Sequence, residues 1–539
     1  MKNSKLLLII FIGLLYFTFS SCKKKKTGSK NERDSATFSG EAKSSQVKPN
    51  RVKGNKFPGF EIPREKETND DKPWTPPKGP KVGDIKPHNN KIDMKQIDID
   101  KNGNPVNGGG ADVVFVKYGE TGSGPGSTTD VSGASNRNVV FLSYNWAAEL
   151  STDSGQTYTV LNPTTIFPSG PVNDAAGNNI SNGFCCDQVI QYVPSIDRFI
   201  WFMQFCGNGA GCLQGSNIIR IASASTSDVI NSGGTAWTYW DITSTQVGAT
   251  TGALDFPDVS VGSNSLYISS DAVGTGLVVM RLPLAEIASG SGFTFWFTQA
   301  PDGQNAYGGH ISHNTGDEVY WAGHVNTSSL RVFSWKEGEN NYYWRDRTIN
   351  SYNAGMSSIT PSGVDWLGGA NGFPGNAVLG ITRRNNEVWF AWNSNAGGGF
   401  KNAYIPVVKV RNTDYAVIDQ MAIWNNDYAF AYPCFSTNAD GEVGISLGWG
   451  GRTTEAHHAA GFMGDFVVYY PRLSTGSLGR YGDYVSIRRY NQNASMFAAF
   501  GYTTQRNPPP ANNLFNDVHY ILFGRPNKRT GGGTNPENK

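Results

Sequence analysis

The sequence predicts an all-β protein: a β-propeller of seven blades, or six if the first unit is only a closing strand, preceded by a disordered tether. Two observations carry this. Gly supplies 64 of 539 residues, about 12% against a usual ~7%, and aromatic residues make up 12%. That composition suits many short strands joined by tight turns and argues against a helical bundle. Second, one strand grammar recurs across residues 111–525. A turn containing Asn, Asp or Gly leads into alternating β-branched and aromatic residues at 138–144, 198–204, 265–269, 318–322, 387–392, 442–447 and 495–500, with starts 53 to 69 residues apart. Small antiparallel sheets repeated at that pitch cannot bury their faces alone and must stack on their neighbours.

A second strand precedes each of the last six runs by a short hairpin. These strands open at Asp187, Asp258, His310, Asn376, Cys434 and Asp483. A third often follows, as at 217–221 and 404–410. The last strand, 518–523, or the first, 111–117, closes the ring by completing a shared blade. A pair of β-sandwiches is the rival architecture, and one recurring hairpin fits it less well.

The ends differ from this body. Residues 1–21 read as an export signal. Lys2 and Lys5 precede an apolar run from Leu6 to Phe19, too short to span a bilayer, and Ser20 and Ser21 lead to Cys22. The stretch Phe19-Ser20-Ser21-Cys22 resembles a bacterial lipobox of the Bacteroidetes type, which implies acylation of Cys22 and an outer-membrane lipoprotein; which way it faces stays open. Residues 22–110 are rich in Lys, Pro, Asn and Asp without a sustained apolar period and read as a tether. Residues 526–539 read as a disordered tail. Within the tether, Asp98 to Asn104 has the oxygen spacing that opens a calcium loop. Its twelfth position is Gly109 rather than an acid, so the stretch reads as a polar turn. No cofactor is expected beyond, at most, a structural Ca2+.

Charge is split along the chain. Residues 1–110 hold 22 Lys/Arg against 12 Asp/Glu, leaving 24 against 32 for the remainder. An acidic folded part repels phosphate backbones, which excludes nucleic acid as a partner. The expected partners are a glycan or a cell-surface protein, with the membrane reached through the acyl chains and the chain a monomer.

Six cysteines less Cys22 leave five, so at least one lacks an intrachain partner. Cys206 and Cys212 flank a Gly-rich loop that can fold back and join them. Cys185 and Cys186 can bond to each other, or one of them to Cys434. No recurring Cys/His spacing points to a metal.

Ser151-Thr-Asp153-Ser-Gly155-Gln-Thr157-Tyr158 fits the Asp-box turn, and on these residues the chain resembles the sialidase-like (BNR/Asp-box) propeller group. The motif's role is structural: Asp153 and the hydroxyls hold the turn, Gly155 permits a left-handed residue and Tyr158 packs beneath. The resemblance implies the fold strongly and the activity weakly. Working sialidases grip a carboxylate with three arginines and use a Tyr activated by Glu, with an Asp as acid/base. The nearest arginine motif here, Phe60-Glu61-Ile62-Pro63-Arg64, lies in the tether with its Arg displaced, so the role does not pass to Arg64. Arg383, Arg384, Arg480, Arg488 and Arg489 lie in the propeller, and the sequence does not bring any three together.

Equivalent strand starts in a propeller gather at one mouth of the central channel. Asp187, Asp258, Asp483 and Tyr484 are therefore the candidate catalytic groups, since clustered carboxylates shift one another's pKa and can do acid/base work. His310, Asn376, Tyr432, Arg480 and Arg488 are candidate binding groups. Trp366, Tyr432 and Trp449 sit in Gly-rich loops from which they can stack on sugars. His457-His458 reads as a solvent-facing pair. Three functions fit: an exported, lipid-anchored propeller presenting a glycan- or protein-binding face; a sialidase-like glycoside hydrolase; or a structural component of a surface complex.

Overall fold

The β-rich runs become the second strands of seven sheets. A computed structural model describes residues 37–526, apart from 55, 60–74, 89–90, 101–104, 107–111, 125–127, 299–308 and 370–372. The signal and Cys22, Arg64, the centre of the calcium-like loop and nearly all of the tail lie outside the described residues. Each run is apolar enough to be buried on both faces, as a middle strand must be: Val139–Tyr144 and all but the first residue of Arg198–Cys206 are buried throughout.

The sheets follow chain order around a ring. The first blade is Ser132–Asn136, Val139–Tyr144, Ala147–Ser151 and Thr159–Leu161. The second, third and sixth open with Gly183–Val193, Leu254–Val261 and Ala429–Thr437, and the fifth with Val378–Arg384. In the fourth the innermost position is only an isolated bridge, Ile311 to Trp321. The seventh runs Ser486–Arg489, Phe497–Arg506, Leu514–Gly524 and then Val114–Glu120. Both proposed closing strands therefore lie in one blade, side by side and antiparallel. The seven blades form a β-propeller.

Residues 38–96 differ from the tether reading. Phe38–Glu41, Lys43–Val47 and Asn50–Lys53 add outer strands to blades four, three and two in turn. Ile85 donates to Ser351 O at 3.3 Å, and Asp93–Gln96 pairs parallel with Val467–Tyr470 on blade six. The segment binds through backbone hydrogen bonds and a few inward side chains, Ala42, Val47, Val52, Ile92 and Ile97. So little apolar content carries no periodic signal.

Four inner strands share a kink near their start. Asp130, Cys186, Phe256 and Tyr432 take left-handed backbone, with φ of 47, 27, 49 and 55°. Two residues later stand Ser132, Gln188, Asp258 and Cys434, each paired across to its second strand. The ladder is interrupted at that kink in blades two, three and six, the signature of a β-bulge that re-aims a side chain. Gln188, not Asp187, is thus the equivalent of Asp258 and Cys434; the sequence alignment of strand starts is one residue out in blade two.

Among the described residues no helix is long and apolar enough to cross a membrane.

Candidate functional site

Side chains of blades three, four, six and seven enter the channel, those of blades three and six by way of their bulges. Asp258, His310, Cys434, Tyr484, Ser486 and Arg488 line a narrow cavity on the axis, with room for about one water molecule. Asp258 is the hub. Its carboxylate accepts from His313 Nε2 at 3.2 Å to each oxygen, from Val259 N at 2.9 Å and from Ile311 N at 3.3 Å. Burial alone would raise its pKa, but His313, His310 and Arg488 hold it well below the usual carboxylate range.

His313 shows the converse. Burial opposes its charge, yet Asp258 pushes its pKa up to about 9. Nδ1 donates to Phe435 O at 3.1 Å, and Arg488 Nη1 lies 3.2 and 3.3 Å from the two ring nitrogens. His310 stacks on Phe256 with ring centroids 4.8 Å apart, and burial pushes its pKa down to about 4. The axis therefore holds a charged pair, a second cation and a neutral imidazole.

Above this layer lies an acidic rim. Tyr484 is raised well above 10, first by burial and then by Asp187, Asp130, Asp255 and Asp258 around it. Its hydroxyl, Ser486 Oγ and His310 Nε2 have no hydrogen-bond partner among the described residues. Asp130 accepts from Asn145 Nδ2 at 2.7 Å and from the backbone N–H of Asp483. Asp255 is half-buried and opposes Asp271 across the sheet. It accepts from Gln204 Nε2 at 2.6 Å, and burial raises its pKa despite Gln204 and Arg480. Asp483 is ion-paired to Arg480, which also donates to Phe373 O at 3.0 Å and Gly482 O at 3.1 Å.

Asp187, Asp258, Tyr484, His310, Arg480, Asp483 and Arg488 thus gather at one end of the axis. Asn376 does not join them. Its Oδ1 accepts from Gly355 N at 2.8 Å and its Nδ2 donates to Asn393 O at 2.7 Å, so it ties two loops together. Tyr432 is buried in a wall of rings with Trp366 and Tyr481, at 6.0 and 5.7 Å. The connection between blades four and five folds over that side, burying Met356, Trp366, Leu367 and Phe373. Trp449 is buried against His457, Tyr470 and Tyr428. The expected aromatic shelf is therefore packing. His457 and His458 are buried as well, and His458 Nδ1 lies 2.9 Å from His519 Nε2.

Nor do three arginines meet. Arg383 donates to Thr315 O and pairs with Asp317, Arg384 donates to Gly441 O and Arg489 to Thr437 O. Only Arg480 and Arg488 approach the axial cluster. Sequence reasoning missed Asp130, Gln204, Asp255 and His313. The repeated triplets Phe256-Pro257-Asp258 and Tyr432-Pro433-Cys434 were the signal that marked the bulges and hence the inward positions.

A lateral groove of about 520 Å3 on blade two was also unforeseen, bordered by Phe57, Pro168, Val172 and Tyr239. Its floor is Arg220, which binds Asp241 through two 2.7 Å hydrogen bonds and lies 4.3 Å from the centre of the Tyr239 ring.

Elsewhere on blade one, the turn at 151–158 is held as its motif requires. Asp153 Oδ1 accepts from Gln156 N at 3.0 Å and Thr157 N at 2.9 Å, and Oδ2 accepts from Thr157 Oγ1 at 2.6 Å. Ser151 Oγ accepts from Gly155 N at 2.8 Å, and Gly155 has φ 85°.

Fold and axis together define a seven-bladed β-propeller with a polar, acid-rimmed channel. No protein-family model and no curated protein sequence matches the chain. Among solved structures, a protein of unknown function from Dyadobacter fermentans is similar at 10% identity and TM-score 0.38, over 77% of this chain and 99% of that one. An α-L-arabinofuranosidase from Fusarium graminearum is similar at 8% identity and TM-score 0.35, covering 75% and 97%. A Trypanosoma rangeli sialidase is similar at 10% and TM-score 0.33, covering 66% and 56%.

Proposed function

We propose that the protein is an exported, lipid-anchored propeller that engages a glycan at the acid-rimmed mouth of its channel. The supporting observation is the convergence of Asp130, Asp187, Asp255 and Asp258 around the Tyr484 hydroxyl. Sugars present many hydroxyl donors, and of these acids Asp255 is the one not fully buried, so it is the acceptor that a sugar entering the mouth meets first. The anchor rests on the sequence at Cys22.

A second reading, glycoside hydrolysis, is favoured by one feature. Asp255 is pushed up and half-buried while Asp258 is pushed down, and carboxyls driven apart in this way are how acid and base roles are divided. On this reading Asp255 is the proton donor. Screening the purified protein on a glycan array and against fluorogenic glycosides separates the two. Binding without turnover supports the first reading. Turnover lost at least a hundredfold in Asp255→Asn, with binding retained, supports the second. Absence of both binding and turnover overturns both.

A further inference from the structure

We propose that the two disulfides of blade two form one exchange-coupled unit, a site that accepts reducing equivalents from an external thiol at its half-buried Cys186 and passes them to the buried Cys206. Cys185 is bonded to Cys186 and Cys206 to Cys212. The two bonds abut: Cys212 Sγ lies 2.9 Å from Cys185 Sγ, and the sulfurs of Cys185, Cys186 and Cys212 all lie within 4.8 Å of one another. Two structurally independent disulfides have no need of such contact.

The fold brings this about. Gly183 pairs with Cys206 and Phe184 with Phe205, so the bulge holding Cys185 and Cys186 begins at the end of the strand that carries Cys206. The loop after Cys206 folds back through Gly207 N to Cys212 O at 2.6 Å and Gly209 N to Gln214 O at 2.9 Å, returning Cys212 over the bulge. Exposure divides the four residues. Cys186 and Cys212 are half-buried, whereas Cys185 and Cys206 are buried at 1% and 7%.

The chemistry follows from thiolate attack on a disulfide. One thiolate of an external dithiol attacks Cys186 Sγ, forming a mixed disulfide and releasing Cys185 as a thiolate. Cys185 attacks Cys212 Sγ, its neighbour, so a Cys185–Cys212 bond forms, the Cys206–Cys212 bond breaks and Cys206 leaves as a thiolate that takes a proton. The second thiol of the donor resolves the mixed disulfide, leaving as an oxidised cyclic disulfide and freeing Cys186. The dithiol loses two electrons and two protons, and the protein exchanges two disulfides for one disulfide and two thiols.

The test treats the folded full chain with one equivalent of a dithiol, followed by acid quench, alkylation, proteolysis and mass spectrometry. Beyond Cys434, which is a free thiol before reduction, the expected species has two new thiols: Cys185 is linked to Cys212, with Cys186 and Cys206 alkylated. Two-thiol species that retain only an original pair, Cys185–Cys186 or Cys206–Cys212, overturn the proposal. A second variant needs no reductant. In Cys186→Ala, Cys185 starts as the free thiol beside Cys212. Exchange predicts that the label moves to Cys206, whereas a label that stays on Cys185 in the folded variant contradicts it.

Discussion

Replacing Asp258 by Asn removes the one negative charge that the axial cations share. At neutral pH His313 is protonated because Asp258 accepts from it through both oxygens at 3.2 Å, and Arg488 lies against the same ring. A pKa of about 9 against an ordinary ~6.5 amounts to about 3 kcal/mol of stability supplied through His313. Both partners are buried, so solvent does not discount it. With Asn at 258, the imidazolium would face Arg488 unpaired, and His313 would shed its proton instead. The expected loss is about 3 kcal/mol at pH 7, within the range for breaking a buried pair from one side. The sign with pH is fixed. A raised histidine contributes fully below its unfolded pKa and loses its contribution as pH rises through about 9, so the cost of the substitution shrinks at pH 10. Chemical denaturation of both proteins at pH 6, 7.5 and 10 measures this. A variant within about 0.5 kcal/mol of wild type at pH 7, or a cost that does not change with pH, refutes the reasoning.

Two further outcomes are expected. Asp153→Ala strips the turn at 151–157 of four hydrogen bonds, from Ser151 Oγ, Gln156 N, Thr157 N and Thr157 Oγ1, and should cost about 1 kcal/mol, read as a lowered melting temperature by circular dichroism; an unchanged melt would show that the turn holds without its carboxylate. Burial pushes His457 and His458 down to about 3 and His310 to about 4, so these rings stay neutral in the fold while the unfolded chain takes up protons below about pH 6.5. Stability then falls as pH drops from 6.5 toward 4, by up to about 1.4 kcal/mol per unit for each ring. His458→Gln should flatten that slope by one ring's share, and an unchanged slope would show that His458 is protonated in the fold.

How much of this was legible depended on where each residue's partners lie. The second strands announced themselves because each is buried on both faces, as in the run from Phe199 to Gln204. The inner strand of blade one, Ser132–Asn136, did not. It is made of small and polar residues because neighbours press on it, and a side chain at Gly133 would collide with Phe500. The outer strands at 38–53 hid for a related reason: backbone pairing on a sheet edge needs only an occasional inward Val47 or Val52. The axial cluster was half legible. Polar strand starts pointed to Asp258, His310 and Arg488, but a bulge displaces Asp187 by one position, and His313 lies past the strand that was read. The aromatic residues misled most. Tyr432 looks like loop decoration until the distant connection that carries Trp366 folds over it.

Hydrogen exchange with a bound glycan tests the axial mouth most directly. The account predicts slowed exchange at the strand start 254–258 and at 481–484, just before the inner strand of blade seven, and little change at the blade-two groove around Pro168 and Tyr239. Protection confined to that groove, with those two segments unaffected, would contradict it.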